Sequence, residues 1–238
     1  MGKGPRVKVV FRCFPEWETL LPKPFPASDA LPEWLRSMPA AVHSDILGAQ
    51  VRTAKHCVPF IDALSRGFMV PLAADVSVSD SNFSWSWDLP PLSQSRITRA
   101  PISFHLSEQV TGTPLADSDS LVVKFNNFWT IETPPEHSLL ITHPLNRPDL
   151  PFRTVAGIVD CDRYSHGFVH FPARWTDQKF TGTLHRGTPV AQCFVLPRRA
   201  IELVFETLHD EHAQAQRETH DAIANEAGGY RHHYRARR

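Results

Sequence analysis

The segment at residues 154–172, TVAGIVDCDRYSHGFVHFP, holds a dense group of side chains that can carry out acid–base or metal chemistry. It contains two carboxylates, one phenol and two imidazoles: Asp160, Asp162, Tyr164, His166 and His170. In an extended strand, side chains an even number of positions apart share one face. Both histidines would then lie together, where they can bind a divalent metal with a carboxylate as third ligand.

The same residue types support a catalytic hypothesis. Asp160 is the candidate general base, and Asp162 and Tyr164 complete the candidate catalytic group. His166 and His170 serve in this hypothesis as metal ligands or acid–base partners, so a divalent metal is the candidate cofactor. The alternative is a polar turn at the edge of a hairpin, in which the aspartates cap the turn.

A second candidate site lies in the stretch KFNNFWTIE. Asn126 and Trp129 stand there beside the start of a predicted strand. An amide next to an aromatic ring can bind a planar ligand, and the alternative is a capped turn over a core tryptophan. We therefore expect either a small-molecule site or a structural turn at these two residues.

The composition narrows the class of protein and of partner. The chain has 238 residues and a formal net charge of zero, which argues against nucleic-acid binding because phosphate contacts need a basic surface. No apolar run is long enough to span a membrane, and the first residues lack the apolar core of a secretion signal. The four cysteines are far apart in sequence, which favours a reduced, cytoplasmic protein.

The order of predicted elements indicates a mainly β fold, a barrel or a sandwich. Short apolar runs punctuated by proline, glycine and asparagine follow one another from about residue 76 to 200, without helices between them. The predicted organisation is an extended N-terminal arm rich in proline and tryptophan at 1–50, a β domain at 51–200, a C-terminal helix at 201–226 and a basic tail at 227–238.

Three segments carry helix signals. SDALPEWLRSMP and HCVPFIDALSRG each place a proline in a first turn, and Gly67 suits the end of the second helix. Ile201, Val204, Phe205 and Leu208 have helical spacing, so we expect the first half of the C-terminal helix to pack against the domain.

The motifs AGIVDCDRY and LHRGTPVAQCFVLP resemble the paired signature of the trimeric dUTPase and dCTP deaminase superfamily over residues 125–197. The resemblance implies a β-clip fold and a nucleotide hydrolase of dUTPase type. Gly157 and Asp160 match the glycine and the water-activating aspartate of that family. Tyr164 resembles the tyrosine under the nucleotide sugar, and Gln192 matches a strand residue that also lines the ligand site.

The region from KHCVPFIDALSRG to GTPVAQC is also similar to an uncharacterised family of bacterial and phage proteins, and that resemblance implies no reaction. Two classes of function therefore stay open: a small-molecule enzyme, or a non-catalytic oligomeric module for binding or structure. The apolar groups of the arm need a cover, so we expect a homo-oligomer, most simply a trimer.

Overall fold

The computed structural model describes residues 6–93, 96–114 and 122–236 of the chain. These residues form two compact units. Residues 7–32 and 63–198 form what we call the β unit; residues 33–62 and 199–236, with residue 6, form the terminal unit. The predicted divisions at residues 50, 200 and 226 stay predictions.

The prediction of a mainly β chain is confirmed. The described residues contain sixteen strands: β1 Val10–Arg12, β2 Phe25–Pro26, β3 Ala41–Ser44, β4 Ala49–Arg52, β5 Phe68–Pro71, β6 Val76–Ser79, β7 Asn82–Ser84, β8 Ile102–Phe104, β9 Val122–Phe125, β10 Thr130–Glu132, β11 His137–Thr142, β12 Phe152–Thr154, β13 Gly157–Val159, β14 Phe171–Trp175, β15 Gly182–Leu184 and β16 Pro189–Pro197. The helices in these residues are α1 Glu33–Ser37, α2 Val58–Ser65 and α3 Asp210–Asn225, joined by short 3₁₀ turns and a π-helical turn at Tyr230–Tyr234.

The strands of the β unit pair only in antiparallel fashion within the described residues. The largest sheet has the order β13-β11-β16-β5-β2, and a second has the order β12-β14-β9-β8. A three-stranded sheet, β15-β6-β7, and the pair β1-β10 complete the unit, and no sheet of the described residues closes into a barrel. In the terminal unit, β3 and β4 form a separate hairpin.

The two large sheets bury their facing side chains in one common core. Leu139 and Cys193 come from the first sheet, and Phe125, Phe152 and Phe171 come from the second, and all are almost fully buried. Alternate residues of β14 point into this core, as expected for a strand with one buried face. The β unit is therefore a set of antiparallel sheets that share one core.

Residues 7–32 of the predicted N-terminal arm pack as part of the β unit. Trp17 has no exposed surface, and its indole Nε1 donates to the carbonyl of Pro90 at 3.0 Å. Leu21 packs in the same cluster with Leu89 and Phe128. Trp17 and Leu21 are thus covered by their own chain, so these two residues need no neighbouring subunit to bury them.

The predicted helix after His56 is confirmed as α2. The glycine that follows its end, Gly67, is required for steric reasons. Gly67 has φ = 72°, a conformation that L-residues with side chains rarely adopt. A Cβ atom there would lie 2.1 Å from the carbonyl oxygen of Cys193. The close approach of these two backbones in the sheet therefore requires glycine.

The predicted helix at 201–226 is wrong in its first half. Residues 199–209 have no regular secondary structure, and α3 begins only at Asp210. The apolar residues that suggested packing are exposed instead: Ile201 by 84%, Val204 by 68% and Phe205 by 90%. Helical spacing without a surface to pack against does not stabilise a helix in water, because packing supplies most helical stability in proteins.

Candidate functional site

The segment after Asp160 is a series of turns, so the predicted strand with alternating faces is wrong there. The backbone amides of Arg163 and Tyr164 both donate to the carbonyl of Asp160, at 2.9 and 2.8 Å. The chain becomes extended again at Phe168, which forms an isolated bridge with Thr130, and β14 begins at Phe171. The backbone of this segment is therefore a turn, as the alternative interpretation expected.

Asp162 forms a bidentate ion pair with Arg198, a residue that no pattern in the sequence connects with it. The two guanidinium nitrogens donate to the two carboxylate oxygens at 2.7 and 2.5 Å. This pairing, with a further hydrogen bond from the Glu136 amide, lowers the pKa of Asp162 to about 2. Such a carboxylate is a weak base at neutral pH, which disfavours a role in proton abstraction.

The same arginine gathers two further carboxylates around the end of β16. Its Nη1 lies 3.3 Å from Asp160 Oδ1, and its Nη2 lies 3.6 Å from Glu136 Oε1. Asp160 Oδ1 also accepts a hydrogen bond of 2.6 Å from the buried hydroxyl of Ser138. These contacts tie the turn segment to β11 and β16, so the network has a clear structural role.

The ion pair of Asp162 predicts a loss of stability in acid. Its folded pKa is depressed, so its contribution is fully present above the ordinary value of 3.8 and is lost as the pH falls towards about 2. We expect Asp162→Asn to be less stable than wild type at pH 6, with a gap that narrows below pH 4. Urea unfolding midpoints across this range measure the gap.

The exposed Asp221→Asn serves as the control for this prediction, because it removes the same charge far along the chain. The step between about pH 4 and 2 is expected for Asp162→Asn, which removes the carboxylate that pairs with Arg198. Equal pH profiles for the two variants would contradict the assignment of the low pKa to the Arg198 pair.

Tyr164 lies over the backbone of the turn. A Cβ atom placed on Gly167 would approach the Tyr164 ring to 2.0 Å, so the ring rests directly on the glycine. The amide of Gly167 donates to the carbonyl of Tyr164 at 3.3 Å, which closes the turn. The tyrosine, 52% exposed, therefore covers its own turn in this structure.

The two histidines have different surroundings. The Nδ1 atom of the half-buried His170 accepts the backbone amide of Asn127 at 3.2 Å, and burial lowers its pKa to about 4. His166 is exposed and has the Ser165 hydroxyl 2.9 Å from its Nδ1. Within the part of the chain that the structure describes, no three His, Cys, Asp or Glu side chains are grouped to hold a metal ion. The metal site predicted at His166 and His170 thus has no geometric support.

The other predicted ligand residues form structural hydrogen bonds. Asn126 accepts from the Ser103 hydroxyl and donates to the carbonyl of Ala100, and the Trp129 indole donates to the carbonyl of Pro22. Both residues are buried. The Asn127 side chain accepts the amide of Trp129 at 3.1 Å, which fits the alternative of a capped turn over a core tryptophan.

Gln192 is fully buried and bonded at both ends of its amide. Its nitrogen donates to the carbonyls of Ala63 and Arg66, at 2.9 and 2.7 Å, at the C-terminal end of α2. Its oxygen accepts the amide of Leu145 at 2.8 Å. The side chain satisfies backbone groups that a helix end leaves without partners, and it has no surface open to a ligand.

A cleft of about 390 Å³ opens beside the turn segment, within the size range of small-molecule sites. Its apolar wall contains Phe14 and Phe168, whose ring centroids lie 6.3 Å apart in an edge-to-face arrangement, together with Ile97. The bridge between Thr130 and Phe168 holds the turn segment against the start of β10. The cleft is therefore built by parts of the chain that are more than a hundred residues apart in sequence.

The polar groups of the cleft are concentrated in a few side chains. Arg12 lies at the end of β1 and pairs with Glu132 at 2.5 Å, while retaining other guanidinium N–H donors. His166, Ser165 and Thr130 add an imidazole and two hydroxyls. Cys13 also lines the cleft, but burial raises the pKa of its thiol, which disfavours the thiolate needed for nucleophilic attack.

Comparison with known protein families gives no match for this chain, and comparison with curated protein sequences gives none either. Among the described residues, no helix combines the length and the apolar composition that crossing a membrane requires. The chemistry of the cleft has to be inferred from its own side chains.

Of the predicted site residues, only His166 lines the cleft. Arg12, Phe14, Ile97 and Phe168 were not selected because no spacing in a single sequence connects them. Arg198 was missed for the same reason, since it follows a strand far from the aspartates that it pairs with. Only the dense polar segment at 160–170 gave a usable signal, and it marked one side of the cleft.

Proposed function

We propose that this chain is a non-catalytic binding protein for a small aromatic anion and that the cleft beside the turn segment is its site. The observation that carries the proposal is the aromatic wall of Phe14 and Phe168 with the guanidinium of Arg12 on the same cleft. Aromatic side chains bind planar apolar groups, and arginine binds carboxylates through paired N–H donors.

Several features favour binding over catalysis at this site. Asp162 is held by Arg198, His170 accepts a backbone amide, and the thiol pKa of Cys13 is raised. A catalytic site needs a nucleophile or base within reach of its substrate. The small-molecule enzyme, including a hydrolase of dUTPase type, is the alternative; it rests on Asp160, whose side chain is 54% exposed.

The binding proposal is tested by calorimetric titration of the purified chain with benzoate, using benzamide as a neutral ligand of the same shape. We expect benzoate to bind with a Kd below about 1 mM and benzamide to bind more weakly, because only benzoate can pair with Arg12. Arg12→Gln should weaken benzoate binding about tenfold, the effect of one charge-assisted hydrogen bond in a partly exposed setting.

Arg163→Gln is the matched control, since Arg163 is exposed on the turn segment but does not line the cleft. It should leave benzoate affinity within about twofold of wild type. Equal losses in Arg12→Gln and Arg163→Gln, or no benzoate binding at all, would refute the proposal. Hydrolysis of added dUTP that is abolished by Asp160→Asn would favour the enzyme alternative.

We also propose that the fold is of β-clip type and that the chain forms a homo-oligomer, most simply a trimer. The antiparallel sheets around one core and the motifs at 156–164 and 184–197 support the fold assignment. The side chains of Ile201, Leu203 and Phe205 are apolar, exposed and close together along the chain. They support the oligomer, because larger contiguous apolar patches on a protein surface mark interaction sites.

A further inference from the structure

The terminal unit contains a second cavity, of about 610 Å³, that the proposed function does not use. It lies between the segment from Arg52 to Asp62 and the segment from Ile223 to Arg235. Its volume is within the range of small-molecule sites. All residues that line it belong to the terminal unit.

The lining of this cavity is strongly basic. Arg52, Lys55, Arg231 and Arg235 contribute four positive charges, and Asp62 is the single carboxylate among the lining residues. The chain as a whole has a formal net charge of zero, so the positive charge of this cavity lining differs from the charge of the chain as a whole. A concave surface of one sign raises the local concentration of ligands of the opposite sign.

Hydrogen bonds within the unit hold several of these cations in place. The Lys55 ammonium donates to the carbonyls of Arg36 and Met38 at 3.0 and 2.9 Å. Arg52 Nη2 lies 3.0 Å from His56 Nδ1. Since arginine can only donate, His56 Nδ1 is the acceptor and orients the guanidinium. Side chains held in this way lose little further conformational entropy when a ligand binds.

Arg235 leaves one donor unsatisfied. Its Nη2 pairs with Asp62 Oδ1 at 2.7 Å, whereas its buried Nε has no acceptor among the described residues. A buried N–H of a cation without an acceptor is unfavourable, and a ligand oxygen can remove that cost.

We propose that this cavity binds a small phosphorylated molecule. Phosphate offers three acceptor oxygens and up to two negative charges, which suits several arginine and lysine donors facing one space. The N-terminal turn of α2 lies at the same wall, where the partial positive charge of a helix start favours an anion. Ile61 and Ile223 supply an apolar surface for the carbon part of the ligand.

The test is titration of the full chain with glycerol 3-phosphate, which lacks the aromatic ring that the cleft would bind. We expect saturable binding, weakened at least about tenfold by Arg52→Gln or by Arg231→Gln, since each removes a charged donor. Arg217→Gln, an exposed change on α3 outside the cavity lining, should stay within about twofold of wild type.

Alkylation of cysteine gives an independent measurement of the same site. Cys57 is exposed and lines the cavity, so glycerol 3-phosphate should slow its reaction with iodoacetamide, as followed by peptide mass spectrometry. Cys13 lies outside the cavity and should react at an unchanged rate. Unchanged Cys57 labelling, or equal weakening in all three arginine variants, would overturn the proposal.

This inference is separable from the binding function proposed for the cleft. Arg12→Gln should bind glycerol 3-phosphate as wild type does, and Arg52→Gln should keep its affinity for benzoate. If a single-stranded RNA oligonucleotide instead bound more tightly than glycerol 3-phosphate and competed with it, a nucleic-acid surface would replace the small-molecule site.

Discussion

Trp17→Ala is expected to lower the free energy of unfolding by about 3–5 kcal/mol, the range for removing a large aromatic side chain from a packed core. Trp17 has no exposed surface, and its ring packs edge-to-face against Phe128 at 5.6 Å and Phe14 at 5.1 Å. The change also removes the hydrogen bond to the carbonyl of Pro90. Urea unfolding followed by circular dichroism measures the loss.

Trp34→Ala is the control, because Trp34 also lies in the predicted arm but remains half-exposed. Its ring lies 6.1 Å from Phe60, so some packing is lost, and we expect a cost below about 2 kcal/mol. A Trp17 variant no less stable than the Trp34 variant would show that the arm is not packed on its own chain. In that case the arm would be available to a neighbouring subunit, as the sequence first indicated.

The Trp17 variant should also weaken benzoate binding. Trp17 packs beside Phe14 and Phe168, with its ring 6.4 Å from that of Phe168. An empty space behind these two rings allows them to move, and the wall of the cleft loses its shape. The Trp17 variant therefore tests whether packing of the arm supports the benzoate site. Trp34→Ala should bind benzoate as wild type does.

The parts of the fold that sequence predicted well are those with local causes. One of the predicted short apolar strands is β16, PVAQCFVLP, and α2 ends before Gly67 because a left-handed residue is needed there. The short helix predicted in SDALPEWLRSMP is present as α1, although Pro32 precedes the helix and was expected in its first turn. In each case, the residues that determine the element lie within it or beside it.

The failures concern contacts between distant segments. Alternation placed His166 and His170 on one strand face, but hydrogen bonds to the carbonyl of Asp160 fold the chain into turns there. Helical spacing predicted a helix from Ile201, but α3 begins only at Asp210. The partner of Asp162 is Arg198, thirty-six residues later, and no pattern in one sequence connects them.

Gln192 shows how a residue marked by a motif can be fixed in place by the fold. The resemblance to the dUTPase superfamily marked it as a residue that is structural and also lines a site. In the structure it is fully buried, and its amide bonds the end of α2 and the loop at Leu145. A buried amide with three backbone partners is strongly constrained by the fold alone.

Gln192→Leu is therefore expected to destabilise the chain by about 3 kcal/mol while leaving ligand binding intact. Leucine has a similar volume but leaves two carbonyls and one amide without partners in the interior, at a cost of about 1–3 kcal/mol for each such group, less than additively. Thr142→Val is the control: it removes a single hydrogen bond, to the backbone carbonyl of Gln192, and should cost about 1 kcal/mol. Benzoate titration well below the unfolding midpoint separates the two roles. A variant with near-normal stability and no benzoate binding would show that Gln192 faces the ligand.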